Sequence, residues 1–244
     1  MTVPPGFRLS VHEALPSTAD LVARRAEAGE PEGLAVLARR QTAGRGTQGR
    51  GWEGPEGNLH LSVLLRPAEP LRTVPQWSLL AAVALADAAA AVIPDAGALA
   101  LKWPNDLLLN GAKAAGILTE ASARPDGAID WLNIGIGVNL ARAPSVPGRV
   151  TACLADAGLP PPEPEAFATI LLAALDRRRA ERTALGFEPI RAAWLARGPA
   201  PGTQLAIRRQ GRETTGSFAG LAEDGSLLLD TGGRVVAFAS AEVA

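Results

Sequence analysis

Short segments of alternating apolar and polar residues occur along the first 140 positions, between longer segments whose apolar residues recur at helical spacing. A period of two is typical of strands, whereas recurrence every three to four residues is typical of helices. The predicted strands run over Phe7 to Val11, Leu34 to Arg39, Asn58 to Leu65 and Trp131 to Leu140. The predicted helices run over Ser17 to Gly29, Pro75 to Ile93, Glu163 to Leu185 and Pro189 to Arg197.

Two turn signals organise the rest of the pattern. Asn110-Gly111 lies between apolar runs, which predicts a hairpin with a type I′ turn and puts Lys113 just beyond it. The stretch from Gly198 to Gly202 reads Gly-Pro-Ala-Pro-Gly and marks a candidate boundary between domains 1–198 and 199–244. The second domain is predicted to be a small all-β barrel or sandwich, with strands over Thr203 to Arg208, Thr214 to Leu221, Ser226 to Asp230 and Val235 to Ala239.

The segment from Arg39 to Gly57 is rich in glycine and arginine. Glycines leave the backbone free to lie against a ligand without an intervening Cβ, and they occur at positions 44, 46, 49, 51, 54 and 57. Four arginines and no carboxylate lie between Arg39 and Arg50, so the local field is positive. A flexible, positive and amide-rich loop of this kind suits an anionic small molecule.

Other interpretations of this segment also have to be weighed. Gly44 to Gly49 matches the dinucleotide fingerprint G-x-G-x-x-G, but that fingerprint opens a helix, which Gly51, Gly54 and Pro55 forbid. No Gly-Lys-Ser/Thr follows at the spacing of a phosphate-binding Walker loop. Binding of single-stranded nucleic acid by arginine and an aromatic residue, or a plain solvated turn, remain open from this segment alone.

Charge and composition narrow the function classes. The net charge of −1 argues against a protein held on nucleic acid or a membrane by bulk electrostatics, so an anion site must be local. One cysteine, Cys153, two distant histidines and no export signal suggest a cytoplasmic protein without a metal-ligand cluster. Of the 24 basic residues only Lys102 and Lys113 are lysines, which suggests a chemical reason for each.

Several polar residues near glycines or helix ends are further candidates. The hydroxyls of Ser17 and Thr18 open a predicted helix, where they either cap it or bind a polar ligand. Gly116 suggests close approach of a ligand or a backbone to its strand, and Asn139 ends a strand broken by two glycines. His60 lies in a predicted strand with no partner suggested by the sequence, and we interpret it as structural.

Together these stretches resemble the successive signatures of biotin protein ligases, in the same order. The matching stretches are Gln41 to Trp52, Lys102 to Asp106, Lys113 to Leu118 and Gly135 to Asn139, and Ser17-Thr18 matches an earlier Ser-Thr-Asn site. The resemblance implies an α+β fold, in which a mixed β-sheet flanked by helices, as in class II synthetases and biotin ligases, precedes an SH3-like barrel. It also implies ATP-dependent formation of biotinyl-5′-adenylate and transfer of biotin to a lysine of a biotin carboxyl carrier protein.

The resemblance further implies roles for individual residues. Arg45, Lys113 and Asp106 are the expected catalytic residues, with Asp106 either orienting Lys113 or assisting deprotonation of the acceptor lysine. The expected biotin-binding residues are Ser17, Thr18, Gln41, Gly44, Arg45, Gly46, Thr47, Lys113 and Gly116. The expected ATP-binding residues are Arg45, Arg50, Trp52, Lys102, Asn105, Asp106, Lys113 and Asn139. Mg²⁺ is expected to arrive with the nucleotide, because no carboxylate cage is visible.

The chain departs from the family pattern at two positions and leaves its assembly open. The family usually has arginine in place of Thr47 and asparagine in place of Ala19, so Thr47 removes a charge from the loop expected to cover the adenylate. Because the chain begins at the catalytic domain, we expect a ligase that does not bind DNA. A homodimer remains open. Lipoate or octanoate attachment is the nearest alternative reaction.

Overall fold

The structure is a computed structural model that describes residues 2–52 and 54–243, apart from the side chain of Gln48. Glu53 and the Gln48 side chain, both within the glycine-rich segment, therefore lie outside the described residues. The α-helices among these described residues are α1 (Thr18–Glu27), α2 (Val74–Ala90), α3 (Pro164–Leu185) and α4 (Glu188–Leu195). No described helix has both the length and the apolar character needed to cross a membrane.

Seven strands form a mixed sheet in the spatial order β1-β2-β3-β7-β6-β5-β4. They are β1 (Arg8–Leu15), β2 (Leu34–Gln41), β3 (Leu59–Leu65), β4 (Leu99–Lys102), β5 (Asp106–Leu109), β6 (Ala112–Ala123) and β7 (Ile129–Val138). Strands β1 and β2 are parallel and are joined through α1, whereas the other neighbours are antiparallel. The mixed sheet with flanking helices expected from the resemblance is confirmed.

Helices cover both faces of this sheet. Strand alternation sends Val36 and Leu64 towards α1, where they pack with Val22 of that helix. Leu37 and Val63 belong instead to the main core, which also contains most of α2. Because α2 is apolar on nearly all sides, it lies buried between the sheet and helices α3 and α4.

The predicted elements are confirmed in type, and the differences lie at their ends. β1 continues to Leu15 beyond the predicted end at Val11, because pairing with β2 extends to Leu15 and Gln41. The hairpin turn is confirmed, since Asn110 and Gly111 have φ values of 49° and 79°, as a type I′ turn requires.

The C-terminal part is a separate antiparallel sheet in the order β11-β10-β9-β8-β12. Its strands are β8 (Gln204–Arg209), β9 (Arg212–Leu221), β10 (Leu227–Asp230), β11 (Val235–Phe238) and β12 (Glu242–Val243). The sequence pattern missed β12, since two residues are too few to show alternation. No pairing among the described residues joins β11 to β12, so the sheet is not closed into a barrel.

Candidate active site

A buried hydrogen-bond network forms one side of a cavity at the start of α1. Ser17 caps the helix, and its Oγ accepts a hydrogen bond from the Asp20 amide at 3.3 Å. The Thr18 amide and hydroxyl donate to Gln41 Oε1 at 2.8 and 3.1 Å. The Thr18 and Ser62 hydroxyls lie 2.8 Å apart. Ser17 therefore caps the helix, the Thr18 hydroxyl contacts Gln41 and Ser62, and both residues line the cavity.

The glycine-rich segment folds into an arch, residues 44–52, whose two legs are hydrogen bonded to each other. The Trp52 amide donates to Gly44 O at 2.9 Å, and the Gly46 amide donates to Arg50 O at 2.7 Å. A Cβ on Gly44 would come within 2.4 Å of Trp52 O, so the legs approach this closely only because residue 44 is glycine.

Trp52 lies on a strip of strand surface that has no side chains. A Cβ on Gly137 of β7 would lie 2.3 Å from Trp52 Cε2, and one on Gly116 of β6 would lie 3.1 Å from Trp52 Cζ3. Both glycines are thus explained by the indole that crosses them. The sequence predicted close approach at Gly116, and the structure identifies the group that approaches it.

A β-bulge sets the direction of the Lys113 side chain. Leu107 pairs with Ala115, but Leu108 pairs with Lys113, so Ala114 is an extra residue in β6. The bulge brings Lys113 and Gly116 to the same face of the sheet, although they are three positions apart. Consequently a Cβ on Gly116 would lie 3.2 Å from Lys113 Nζ.

Lys113 is held through both its side chain and its backbone. Its Nζ forms an ion pair with Asp106 Oδ1 at 2.5 Å and lies 5.7 Å from the centroid of the Trp52 ring. The Lys113 amide donates to Val150 O, and Lys113 O accepts from the Ala152 amide, both at 2.9 Å. Asp106 is thus the carboxylate that contacts the Lys113 ammonium.

Arg45 and Arg50 also face carboxylates. Arg45 contacts Asp20 of α1 and Glu120 of β6. Arg50 Nη1 contacts Glu242 Oε1 of the C-terminal sheet at 2.7 Å. Hydrogen bonding by Arg50 lowers the pKa of the Glu242 carboxyl, and Arg149 contributes in the same direction, against a smaller opposing effect of burial.

Some of the remaining predicted residues line the site, and others hold in place the segments around it. Asn105 Nδ2 donates to Ile117 O at 2.6 Å, which fixes the loop before β5 against β6. Asn139 is buried and its Nδ2 donates to Ala152 O at 3.0 Å, so it holds the segment that contacts the Lys113 backbone. Neither Asn139 nor Gly44 lines the cavity or the neighbouring cleft.

A cavity and a wide cleft meet at Thr47, Asn105 and Lys113, which line both. The cleft, about 1130 Å³, lies between the seven-stranded sheet and the C-terminal sheet. Of the predicted residues, the cavity is lined by Ser17, Thr18, Gln41, Arg45, Gly46, Thr47, Trp52, Asn105, Lys113 and Gly116. The cleft is lined by Thr47, Arg50, Lys102, Asn105, Asp106 and Lys113. A pocket lined by both polar and apolar residues thus adjoins a cationic cleft, with Lys113 at the junction.

Two segments of the sequence match known families, one at each sheet. Residues 11–139 match the biotin/lipoate A/B protein ligase family, and residues 204–244 match the biotin protein ligase C terminal domain. This chain belongs to the biotin/lipoate A/B protein ligase family. The biotin–[acetyl-CoA-carboxylase] ligase of Paracoccus denitrificans is 42% identical over 205 residues, which cover 80% of this chain and 82% of the relative.

Solved structures of biotin protein ligases share the fold. The ligase from Aquifex aeolicus in complex with biotin and ATP has a TM-score of 0.82 and 25% identity, over 97% of both chains. The ligase from Leishmania major in complex with biotinyl-5-AMP has a TM-score of 0.65 and 29% identity, over 96% of this chain and 99% of that one.

Several residues beside the cavity could not be placed there from the sequence. Ser62 lies in the middle of an apolar strand and shows its role only through its contact with Thr18. His60 lines the cavity and is buried, with neither ring nitrogen hydrogen bonded among the described residues. Asp20 and Glu120 come next to Arg45 from elements distant in sequence, and only the register of the sheet brings them together.

Proposed function

We infer that this chain activates biotin with ATP as biotinyl-5′-adenylate and transfers the biotinyl group to a lysine of a biotin carboxyl carrier protein. The names of its relatives and the ligands of the similar structures support this inference. Within the fold, the observation that carries it is the position of Lys113, which borders both the polar cavity and the cationic cleft. An anion bound in the cavity and a second anion bound in the cleft would both lie beside this ammonium.

Charge stabilisation at the junction is the main catalytic requirement. In the first step a carboxylate oxygen of biotin bonds to the α-phosphorus of ATP, and the bond to the departing pyrophosphate breaks. Both reactants are anionic, so a fixed positive charge where charge develops lowers the barrier. We propose that Lys113 supplies it, exchanging its contact with Asp106 for contacts with the reacting oxygens.

Transfer requires a free amine on the acceptor. The acceptor lysine attacks the acyl carbon of the adenylate, AMP departs, and the attacking nitrogen loses a proton. Asp106 lines the cleft and is proposed to orient Lys113 before the first step and to take up that proton in the second. The Asp106 carboxylate becomes available for the second role when Lys113 turns to the phosphate.

The polar residues of the cavity are proposed to bind the biotin ring. Ser17, Thr18 and Gln41 offer hydroxyl and amide groups in a buried setting, and an unpaired ureido group there would cost about 1–3 kcal/mol. Gly44, Gly46, Thr47 and Gly116 are proposed to shape this pocket, and Arg45 to belong to its rim. Arg50, Trp52, Lys102 and Asn105 are proposed to hold or border the nucleotide, and Asn139 to support that site from behind by holding the segment at Ala152.

Mg²⁺ is proposed to enter with the nucleotide. No group of three or more histidine, cysteine, aspartate or glutamate side chains suited to a metal occurs within residues 2–52 and 54–243. Mg²⁺ commonly takes most of its ligands from phosphate and water, with one or two protein carboxylates. Asp106 is the carboxylate in the cleft beside Lys113 that fits such a contact. When bound, the ion would neutralise phosphate charge.

Location, assembly and domain limits also remain proposals. The single buried cysteine, Cys153, suits a reducing cytoplasm. The separate C-terminal sheet supports domains over residues 1–198 and 199–244. Homodimerisation is proposed through an outer edge of the seven-stranded sheet, whose terminal strands are β1 and β4.

Exchange of labelled pyrophosphate into ATP tests the proposed reaction. We expect purified protein to catalyse exchange that depends on biotin, and to transfer labelled biotin to a carrier domain. Lipoate should not replace biotin. Exchange stimulated by lipoate or octanoate instead of biotin would contradict the proposed substrate while leaving family membership intact.

A further inference from the structure

The Arg45 side chain lies between two carboxylates from different elements. Its Nε and Nη2 approach Asp20 Oδ1 at 2.9 and 2.7 Å. Its Nη1 approaches Glu120 Oε1 at 2.8 Å, and its Nη2 approaches Glu120 Oε2 at 3.0 Å. This two-pronged contact with Glu120 is the geometry in which a guanidinium binds a carboxylate most specifically.

Both carboxylates are themselves fixed by the fold. Asp20 lies in the first turn of α1, directly after the Ser17 cap. Glu120 Oε2 accepts a hydrogen bond from Asn133 Nδ2 at 3.3 Å, and the same amide donates to Ala19 O at 3.3 Å. Asn133 is fully buried, so the groups that hold Arg45 belong to the rigid part of the molecule.

The charge balance of this cluster does not favour an anionic ligand. Two carboxylates face one guanidinium, so the cluster of Asp20, Glu120 and Arg45 carries one excess negative charge. Hydrogen bonding by Glu120 raises the pKa of Arg45, with Asp20 acting in the same direction and burial opposing. An approaching carboxylate or phosphate would have to displace existing contacts and would meet a net negative field.

The Arg45 backbone, in contrast, lies in the arch beside the cavity. Arg45 pairs with Gly51 across the arch, and its neighbours Gly44 and Gly46 make the two cross-arch hydrogen bonds. The Arg45 amide has no hydrogen-bond partner within the described part of the chain, although Arg45 lines the cavity. Fixing the side chain therefore fixes the direction of a free backbone donor.

We propose that Arg45 anchors the arch instead of supplying charge to the reacting anions, and that Asp20 and Glu120 are positioning residues for biotin binding. The side chain ties the arch to α1 and β6, and this holds the Arg45 amide and the Trp52 indole over the cavity. The proposal rests on the proposed function for its ligand, but the anchoring itself can be measured without any ligand.

Replacing Asp20 or Glu120 by its amide distinguishes an anchoring role of Arg45 from a charge-supplying role. The two roles predict opposite changes in activity. If Arg45 acts as an anchor, Asp20→Asn and Glu120→Gln loosen the arch and raise KM for biotin about tenfold, with KM for ATP and kcat little changed. If Arg45 supplies charge, removing either carboxylate frees that charge, and activity rises. Glu27→Gln, an exposed acid at the end of the same helix, is the matched control and should behave as the unmodified chain.

A double-mutant comparison adds a second criterion. Once Arg45→Ala has released the anchor, adding Glu120→Gln should cause no further loss, because residues acting through one contact are not additive. Additive losses, unchanged KM for biotin, or faster turnover in either isostere would overturn the proposal. Thermal unfolding of each variant identifies changes that come only from loss of stability.

Hydrogen exchange of the ligand-free protein keeps this test independent of the reaction. The Gly46 and Trp52 amides are hydrogen bonded across the arch, so anchoring predicts that both Asp20→Asn and Glu120→Gln speed their exchange at least about fivefold. Equal exchange in the isosteres and the unmodified chain overturns the anchor. If the unmodified chain shows no biotin-dependent exchange of pyrophosphate, the proposed function fails, while the hydrogen-exchange result still decides the anchor.

Discussion

His60 is an imidazole on β3 whose ring lies against the backbone of Gly54, where a Cβ would come within 1.9 Å of His60 Cε1. Burial lowers the pKa of His60, and the nearby Gly54 backbone offsets only part of that effect. Neither ring nitrogen has a hydrogen-bond partner among the described residues. Burial therefore favours the neutral ring in the folded state, because burying the charged ring costs more than the Gly54 backbone contact offsets.

This environment predicts a loss of stability in mild acid. The unfolded chain binds a proton at His60 near the ordinary value of about 6.5, whereas the folded chain binds it only at lower pH. Stability should thus fall as pH drops below about 6.5, until the lowered folded pKa is reached.

Urea unfolding at pH 7.5 and pH 5.5 measures this loss for the unmodified chain and for His60→Phe. The variant lacks the titrating ring and should lose less stability between the two values. Equal losses in both proteins would show that His60 does not contribute to acid sensitivity.

At the scale of elements, the strip of glycines on β6 and β7 and the arch above it form one unit. Gly116 and Gly137 leave room for Trp52, and the bulge at Ala114 turns Lys113 towards the same strip. Alternation along a strand would place Lys113 and Gly116 on opposite faces, so the pattern alone could not predict their contact. The hairpin itself was predictable, because Asn110-Gly111 specifies it locally.

Filling the strip should displace the arch while leaving the sheet intact. In Gly137→Ala the new methyl group would overlap the indole of Trp52, and the indole can move because it belongs to a loop. We expect KM for biotin to rise about tenfold, with a melting temperature close to that of the unmodified chain.

Gly51→Ala is the matched control, because its Cβ would meet nothing within 4 Å and its backbone needs no left-handed φ. It should keep the KM of the unmodified chain. A KM for biotin that is unchanged in Gly137→Ala would contradict the role assigned to this strip.

At the scale of the whole molecule, the cleft lies between the two sheets, and residues from both sheets line it. Arg50 of the arch and Arg149 meet Glu242 of β12, and Trp103 Nε1 donates to Gly225 O at 3.2 Å. The order of motifs made the ligase fold and most cavity residues predictable. The partners of Arg45 and Arg50 were not predictable from the sequence. They depend on the strand register of the seven-stranded sheet and on how the C-terminal sheet packs.

The central claim concerns Lys113, whose ammonium is proposed to stabilise the charge that develops in the first step. The residue borders both the cavity and the cleft and is held by the bulge, the hairpin and Asp106. Two negative groups can react at this point only if their repulsion is offset there. Lys102→Ala is the control variant. It removes the other lysine, which lines the cleft but not the cavity.

The most direct measurement is single-turnover release of pyrophosphate from ATP in the presence of saturating biotin. For Lys113→Ala we predict a rate about 100- to 1000-fold lower, with biotin affinity by calorimetry within about threefold of the unmodified chain. For Lys102→Ala we predict mainly a higher KM for ATP. Release by Lys113→Ala at the rate of the unmodified chain would contradict the central claim.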